Sequence, residues 1–397
     1  MLFQEAQRAL GQFLAPLTVE EFFERTLTGG FRRIAHDGSG ACAALLGPQP
    51  QATLLAAFEL APKLTFHSAN ALGPPPSLSG IADADTFRRR IEQFHALHYS
   101  VRFPELRPLS RPLDELARAL EFMLHTPVSA SAFWSQGGMQ APVHYDDHDL
   151  IVVQLRGQKR WYLCGAPSEL PNTWTSKPAG SLRLDPSVTV DLSPGDRLYL
   201  PRGTLHSVDA DGESLHLSIG FTPLTVRQAL IAALDQLSDL DRTLRTTMGG
   251  CIPAQFKGVG MDSFAARVTD ALERLRAACR APGFLPAALQ RRSTRVVATL
   301  APLAAPAPGL AGALTLDSEL APAAAAMCHL TASPERIDFS YPGGHLYLHR
   351  GAEPSLLYMV NTPRFRVRDI PGEIDDEVRL SLARRLVEIG FLGAPQT

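Results

Sequence analysis

The chain has 397 residues, more than one hydrophobic core usually organises, so two or three domains are expected. Hydrophobic residues make up 45% and charged residues 20%, proportions that exclude bulk disorder and a fibrous repeat. The formal net charge of -2 excludes a global positive field able to collect nucleic acid or anionic lipid.

The cysteines and the hydropathy pattern indicate the compartment. Five cysteines are scattered singly with no CxxC pair: Cys42, Cys164, Cys251, Cys279 and Cys328. This usage argues against a disulfide framework and against a zinc cluster. The N-terminal segment has no basic region followed by an apolar run, and no stretch approaches the roughly 18 apolar residues of a membrane span. We therefore expect a cytoplasmic protein without membrane contact.

Residues 1 to about 125 predict mixed helices and strands. Thr18 and Glu21 have the spacing of a capping box, which predicts the start of a helix. From Leu113 to Leu124, apolar residues recur at helical spacing, so this helix is expected to pack on a neighbouring sheet. The arginines at 88–90 are interpreted as a solvated helix face.

The pattern changes between Val128 and Phe221 to short apolar or alternating runs separated by Gly, Pro, Asp and Asn. The runs are SASAFW, DLIVVQL, KRWYLC, VTVDL, RLYLP and LHLSIGF. Many short strands with turn residues between them are typical of an antiparallel sandwich or barrel. A jelly roll is the simplest architecture of this kind.

A helical pattern returns after Thr222. Thr225 and Gln228 again have capping-box spacing, and a second helix is predicted from about Asp262 to Cys279. Helices that follow a sheet domain suit dimerisation, but packing within one monomer would give the same pattern. The arginines at 291, 292 and 295 are interpreted as another solvated helix face.

An Ala/Pro-rich stretch, residues 299–326, predicts a connector to a small C-terminal domain. There the runs IDFSYP, HLYLHR and SLLYMV predict strands, and a helix is expected from Asp375 to Ile389, ended by Gly390. Strands with such a terminal helix resemble a winged-helix module. Few Lys or Arg residues occupy the last helix, which favours contact with protein over nucleic acid.

The strongest chemical feature is the pair His144 and Asp146. If this segment begins a strand, residues i and i+2 share a face and could reach one metal ion. HxD alone is a weak signal, because the two side chains could equally bond each other or loop backbone. Sixty residues later, PGDRLYLPRGTLHSV predicts a strand, a turn and a strand that bring His206 to the opposite wall of a small barrel.

Two histidines and one carboxylate form the facial triad of non-haem iron(II), which leaves coordination positions open, whereas a structural zinc closes its sphere. His148 also shares the His144 face by period two. Three ligands from one extended run would spread along roughly 13 Å of strand, so His206 is the better third ligand.

Taken together, these motifs resemble the JmjC-domain cupin family of ribosomal-oxygenase-like 2-oxoglutarate- and Fe(II)-dependent protein hydroxylases. The resemblance rests on HYDDHDLIVVQLRGQKRW, residues 144–161, and on the hairpin and final strand of residues 194–221. It implies an α+β fold with a double-stranded β-helix (cupin, jelly-roll) core, a helical dimerisation-like segment and a C-terminal winged-helix-like domain. The expected divisions are a catalytic domain with its N-terminal extension over 1–222, helices over 223–300, a connector over 301–326, and the last domain over 327–397.

The same resemblance implies a set of site residues. His144, Asp146 and His206 would hold Fe(II), and Lys159 would bind the distal carboxylate of 2-oxoglutarate, which needs a cation in a closed site. His216 and Ser218 would line the co-substrate pocket. The alternatives stay open: Lys159 as a solvent-facing member of a turn, and His216 and Ser218 as ordinary buried polar residues.

The implied activity is hydroxylation by dioxygen of a side chain, histidyl or arginyl, in a protein or peptide. A local acidic groove containing Asp147 and Asp149 could receive a basic substrate. The alternatives are tailoring of a biosynthetic peptide, lysyl demethylation, and a catalytically silent cupin scaffold. A homodimer is possible, and nucleic acid is not an expected partner.

Overall fold

The computed structural model describes residues 3–36, 38, 40–165, 170–171, 183–185, 187–247, 261–323 and 326–395. Cys251, Lys177 and Lys257 lie outside these residues. The chain divides into two compact units. The first unit comprises Met1–Pro223 and Ala323–Ala325, and the second comprises Leu224–Pro322 and Ala326–Thr397.

The described residues of the first unit contain five α-helices. They are α1 (Phe3–Leu14), α2 (Val19–Glu21), α3 (Pro50–Ala56), α4 (Ala84–Ala96) and α5 (Arg111–Leu124). The capping box is confirmed: the Glu21 backbone N–H donates to the Thr18 hydroxyl, and the Thr18 N–H donates to the Glu21 carboxylate. Arg88 forms ion pairs on the surface of α4 with Asp85 and Glu92, as expected of a solvated face.

All six predicted strand runs between Val128 and Phe221 are strands. The strands of the unit are β1 (Arg32–Ile34), β2 (Thr65–His67), β3 (Ser100–Phe103), β4 (Val128–Ser135), β5 (Met139–Gln140), β6 (Asp149–Arg156), β7 (Lys159–Cys164), β8 (Ser187–Leu192), β9 (Arg197–Leu200), β10 (His206–Ala210) and β11 (Ser214–Phe221). They form two antiparallel sheets, with strand orders β1-β9-β6-β11-β4-β3-β2 and β5-β10-β7-β8.

The two sheets enclose a hydrophobic core, because alternate residues of each strand point inward. Val152 and Leu198 of the larger sheet pack there with Trp161 and Val208 of the smaller one. The other face of the larger sheet is covered by α1, α4 and α5, whose apolar stripes share a second core with β3, β4 and β11. The predicted double-sheet architecture is therefore present.

The second unit begins with three helices, α6 (Val226–Leu240), α7 (Met261–Arg280) and α8 (Phe284–Thr299). It continues with α9 (Leu310–Ala313), β12 (Glu319–Pro322), β13 (His329–Ala332), β14 (Arg336–Tyr341), β15 (Gly344–His349), α10 (Glu353–Asn361), β16 (Phe365–Arg366), α11 (Asp376–Glu388) and β17 (Leu392–Gly393). Two three-stranded antiparallel sheets result, with orders β16-β12-β17 and β13-β14-β15.

Two features of the second unit differ from the sequence-based expectations. The run SLLYMV, predicted as a strand, belongs to α10: Pro354 lies in its first turn, and Leu356 and Met359 are buried at i, i+3 spacing. Residues 301–326, predicted as a connector, contain α9 and β12, and β12 is the central strand of its sheet. An Ala/Pro-rich composition hid this strand, because neither residue type favours strands.

Charge pairing explains the second arginine cluster. Arg291 and Arg295 of α8 lie against Asp235 and Asp239 of α6, with the closest nitrogen-to-oxygen distance 2.5 Å between Arg291 and Asp239. The cluster is thus a helix-pairing face. Across the described ranges, no helix combines the length and apolar character that crossing a bilayer requires.

Candidate metal centre and its cavity

The three predicted ligands come together at one end of the double sheet. His206 opens β10, and His144 faces it through two backbone hydrogen bonds of 3.0 and 2.8 Å. Asp146 follows in the loop before β6, which begins only at Asp149, so HxD does not head a strand as predicted. One ligand-capable atom from each of the three lies within 4.8 Å of the others.

Both imidazoles are oriented by backbone carbonyls. Nδ1 of His144 lies 2.8 Å from the Pro142 oxygen, and Nδ1 of His206 lies 3.0 Å from the Thr204 oxygen. Only an Nδ1–H can donate to a carbonyl, so each ring presents Nε2 as its metal-binding atom. Such hydrogen bonds to the other ring nitrogen are how ligand histidines are held in proteins. The donor set of two imidazole nitrogens and one carboxylate therefore fits an iron(II) site.

A buried carboxylate supports the loop that precedes His206. Asp149 accepts hydrogen bonds from the Tyr199 hydroxyl at 2.6 Å and from the Arg202 backbone N–H at 3.2 Å, and burial raises its pKa. The Gly203 N–H donates to the Asp146 carbonyl. Asp149 is therefore a structural residue. Because it is buried, it does not line the acidic groove that was predicted to contain Asp147 and Asp149.

His148 stays apart from the candidate ligands. Its Nδ1 lies 2.8 Å from the Asp147 carboxylate, and both side chains are substantially exposed. The ring lies over Gly220, where a Cβ would approach it to 2.6 Å. Within the described residues His148 is not in the metal-competent group, as expected from the distance along the strand.

A cavity of about 360 Å³ opens beside the three ligands, between the two sheets. Lys159 of β7 and His216 and Ser218 of β11 all line it, so the predicted co-substrate residues share one space with the triad. This volume lies within the range of small-molecule sites. The indole Nε1–H of Trp161, another wall residue, is buried and has no hydrogen-bond partner among the described residues.

Lys159 is a buried cation at the inner end of this cavity. Lys159 is only 2% exposed. Its neighbour Arg160 points to solvent and pairs with Asp191, because successive side chains of a strand alternate between its two faces. The Lys159 ammonium lies 2.9 Å from Nδ1 of His216 and donates to the Phe133 carbonyl at 3.2 Å. Burial lowers the pKa of Lys159 to about 7, and burial together with this neighbouring charge keeps the pKa of His216 well below its usual value.

Three further wall residues escaped the sequence analysis. The Phe133 ring stacks on His216 with centroids 4.9 Å apart, and His67 and Arg102 approach Phe133 at 5.7 and 6.0 Å. Burial lowers the pKa of His67 to about 4, helped by the charges of His144 and Lys159. His67 and Arg102 lie on β2 and β3, which reach the cavity only through the strand order of the larger sheet.

The comparisons with known proteins agree with this arrangement. A family model described as JmjC domain matches residues 108–229, which contain the three candidate ligands, Lys159, His216 and Ser218. The chain carries a JmjC domain. His67 and Arg102 lie outside the matched residues of the JmjC domain.

Curated relatives share this region. The chain is 27% identical over 180 residues to the bifunctional lysine-specific demethylase and histidyl-hydroxylase NO66 of Drosophila persimilis, covering 41% of the chain and 26% of the relative. It is 29% identical over 132 residues to ribosomal oxygenase 2 of Rattus norvegicus, covering 32% of the chain and 28% of the relative. The chain thus spans about a quarter of the length of these relatives.

Solved structures extend the likeness of fold beyond the JmjC domain. YcfD, described as a ribosomal oxygenase from Escherichia coli, aligns with a TM-score of 0.52 at 15% sequence identity, covering 95% of this chain and 97% of that one. At this identity the likeness shows a shared fold. The resemblance predicted from the motifs is therefore confirmed as a JmjC domain over residues 108–229, and the fold is the JmjC cupin fold.

Proposed function

We propose that this protein is a 2-oxoglutarate- and Fe(II)-dependent oxygenase that hydroxylates a histidyl or arginyl side chain of a protein or peptide. The observation that carries the proposal is the convergence of His144, Asp146 and His206 on one point, with both Nδ1 atoms held by carbonyls, above a cavity that ends at Lys159. The relatives named as a histidyl-hydroxylase and a ribosomal oxygenase support the same reaction class.

Three side chains would hold the metal: Nε2 of His144, Nε2 of His206 and the Asp146 carboxylate. Iron(II) bound there would supply oxidation by dioxygen, coupled to decarboxylation of 2-oxoglutarate to succinate. The carbonyl contacts keep the two rings in position before the metal arrives, so binding does not have to immobilise free side chains.

Lys159, His216 and Ser218 would receive 2-oxoglutarate. A carboxylate at the inner end of the cavity pairs best with the protonated ammonium of Lys159, and the neutral His216 then accepts one N–H of that ammonium. Ser218, two residues along β11, lies on the same wall and offers a hydroxyl. The double sheet keeps this end of the cavity away from bulk water.

The first experiment is anaerobic titration with Fe(II) and 2-oxoglutarate, followed by visible charge-transfer absorption and, after air is admitted, by succinate release. We expect the wild type to give both signals and His206→Ala to give neither, because two ligands hold the metal weakly. His148→Ala is the matched control, since this neighbouring histidine lies outside the ligand group and should retain the absorption signal.

Failure of the wild type to bind either partner would contradict the oxygenase and favour a silent cupin scaffold. Tailoring of a biosynthetic peptide belongs to the same reaction class, and substrate screening distinguishes it. Completeness of the ligand set is the reason to prefer an enzyme, because a silent member has no need for all three ligands.

We also propose that the helices of 223–300 pair two copies of the chain and that 327–397 form a winged-helix-like domain that contacts protein. The exposed leucines of α6 support the first role, and the presence of the small sheet β13-β14-β15 and of α11 in the same segment supports the last. A cytoplasmic location fits a soluble protein or peptide substrate.

A further inference from the structure

The cavity contains a second cation besides Lys159. Arg102 of β3 is half-buried and lines the cavity wall. An arginine stays charged at all physiological pH values, so this wall carries a fixed positive charge. The group that pairs with this charge determines which substrate side chains can enter beside the candidate metal centre.

In the described part of the chain, the contacts of Arg102 are neutral. One terminal nitrogen donates to the Ser131 hydroxyl at 2.9 Å, and the guanidinium carbon lies 6.0 Å from the centre of the Phe133 ring. Among the described residues, no carboxylate forms an ion pair with it. A guanidinium has five N–H donors arranged as a fork that matches a carboxylate, and here most of them remain available.

The acidic groups near the cavity are already engaged. Asp146 belongs to the candidate metal ligands, and Asp147 at the rim accepts from His148 at 2.8 Å. The other titratable side chains that line the cavity are His67, whose pKa burial lowers to about 4, Lys159, and the histidines at 144, 148, 206 and 216. Apart from Asp146 and Asp147, the titratable side chains that share the cavity with Arg102 are neutral or cationic.

Phe133 separates Arg102 from the co-substrate end of the cavity. One side of this ring stacks on His216, which contacts Lys159, while Arg102 and His67 approach it from β3 and β2. On the larger sheet the order is β11-β4-β3-β2, so β4 carries Phe133 between the two groups. Arg102 and Lys159 thus lie in two different parts of the cavity.

We propose that Arg102 is a specificity residue that pairs with a carboxylate of the substrate, and that it keeps arginine and lysine side chains out of the cavity. The inference rests on the proposed oxygenase function, in which Lys159 already neutralises the distal carboxylate of 2-oxoglutarate. A guanidinium or ammonium entering beside Arg102 would meet a like charge in a partly desolvated space. An acidic residue near the target, or a free carboxylate, would instead complete a charge-assisted pair. Of the two target side chains, this favours histidyl over arginyl.

The test selects random peptides on the full-length protein loaded with manganese(II) and 2-oxoglutarate, which does not require turnover. One library has amidated C-termini and the other has free C-termini, so side-chain and terminal carboxylates are distinguished. For the wild type we expect enrichment of Asp and Glu, or of the free terminus, by about tenfold over Lys and Arg. Arg102→Glu should reverse the preference, and Arg102→Lys should keep it in weaker form.

Arg89→Glu is the control, because Arg89 lies on the exposed face of α4 and should leave the selected peptides unchanged. The same selected composition from the wild type and Arg102→Glu, or no acidic enrichment in the wild type, would overturn the proposal. So would weaker binding of 2-oxoglutarate by Arg102→Gln, since it would place Arg102 on the co-substrate.

Binding of 2-oxoglutarate is measured on the same samples, and the selection is repeated without metal and co-substrate. Absence of that binding in the wild type contradicts the oxygenase, whereas normal binding without acidic preference contradicts only the role of Arg102.

Discussion

At the scale of single residues, the charge of Lys159 is governed by its burial. Among the described residues, the side chain contacts the Phe133 carbonyl and the His216 ring and forms no ion pair with a carboxylate. Desolvation therefore lowers its pKa to about 7 from the ordinary 10.5. A carboxylate arriving next to the amine would favour the ammonium again and raise this pKa.

This coupling predicts that 2-oxoglutarate binding weakens with rising pH. Above about pH 7 the free protein must take up a proton to bind the dianion, so the affinity should fall by up to about tenfold per pH unit. Below that pH the amine is already charged and the affinity should level off. Anaerobic titration with Fe(II) between about pH 6 and about pH 9 measures the effect.

Lys159→Arg is the informative control for this pH dependence. Its guanidinium keeps its charge across the range, so whatever affinity remains should vary little with pH. A wild-type affinity that is independent of pH would show that Lys159 is charged before the co-substrate binds, or that it does not meet the carboxylate.

The sequence selects the residues of the candidate metal centre, which the structure brings together, but not their surroundings. His144, Asp146 and Lys159 lie in one short motif, so residue type and spacing are sufficient to select them. His67 and Arg102 belong to strands of three and four residues, too short to display alternation. Only the order of strands in the larger sheet brings these two side chains to the cavity.

At the scale of elements, the turn from β6 to β7 carries the chain from the larger sheet to the smaller one. Gly157 occupies it with φ +60, and a Cβ there would lie 1.9 Å from the Glu213 carbonyl oxygen. The buried Gln154 amide donates to the carbonyls of Arg156 and Gly157, which holds the turn in place. Lys159 follows two residues later, so this turn sets its position.

We predict that Gly157→Ala destabilises the protein by about 2 to 5 kcal/mol, because it adds both a left-handed strain and a backbone clash. The affinity for 2-oxoglutarate should fall with it as Lys159 shifts. Urea unfolding and anaerobic titration measure the two effects. Gly212→Ala is the matched control: beyond its two chain neighbours, no atom of the described residues lies within 4 Å of the added Cβ, and the change should stay within about 0.5 kcal/mol. Equal stability of the two variants would contradict the prediction.

The elements that the sequence predicts correctly have strong local signals. The capping boxes at Thr18 and Thr225 and the alternating runs of the double sheet depend on neighbouring residues alone. The α10 helix was misread because a short apolar run fits a buried strand and a buried helix equally well. Packing of Leu356 and Met359 within the second unit decides between them.

At the scale of the whole molecule, the cavity lies in the first unit and the helices α6, α7 and α8 lie in the second. Every residue that lines the cavity lies between His67 and Ser218, within the first unit. The boundary predicted after residue 222 lies beside the one that separates the two compact units. Sequence composition does not reveal the association state, because a helix covered by a second copy and one packed within the chain have the same apolar pattern.

Helix α6 carries the evidence on association. Ala233 and Leu237 are buried with α7 and α8, while Val226, Leu230 and Leu234 form a second stripe at i, i+4 spacing that is 79%, 52% and 44% exposed. An apolar stripe on a helix that already has a packed face typically marks a contact with another chain.

We therefore predict a dimer in solution. Combining Leu230→Glu with Leu234→Glu should give a monomer, because two carboxylates per copy would have to be desolvated in the interface. Light scattering coupled to size-exclusion chromatography measures the mass, with the exposed Leu72→Glu of the first unit as control. A wild type that runs as a monomer at micromolar concentration would leave this stripe without a role in pairing two copies.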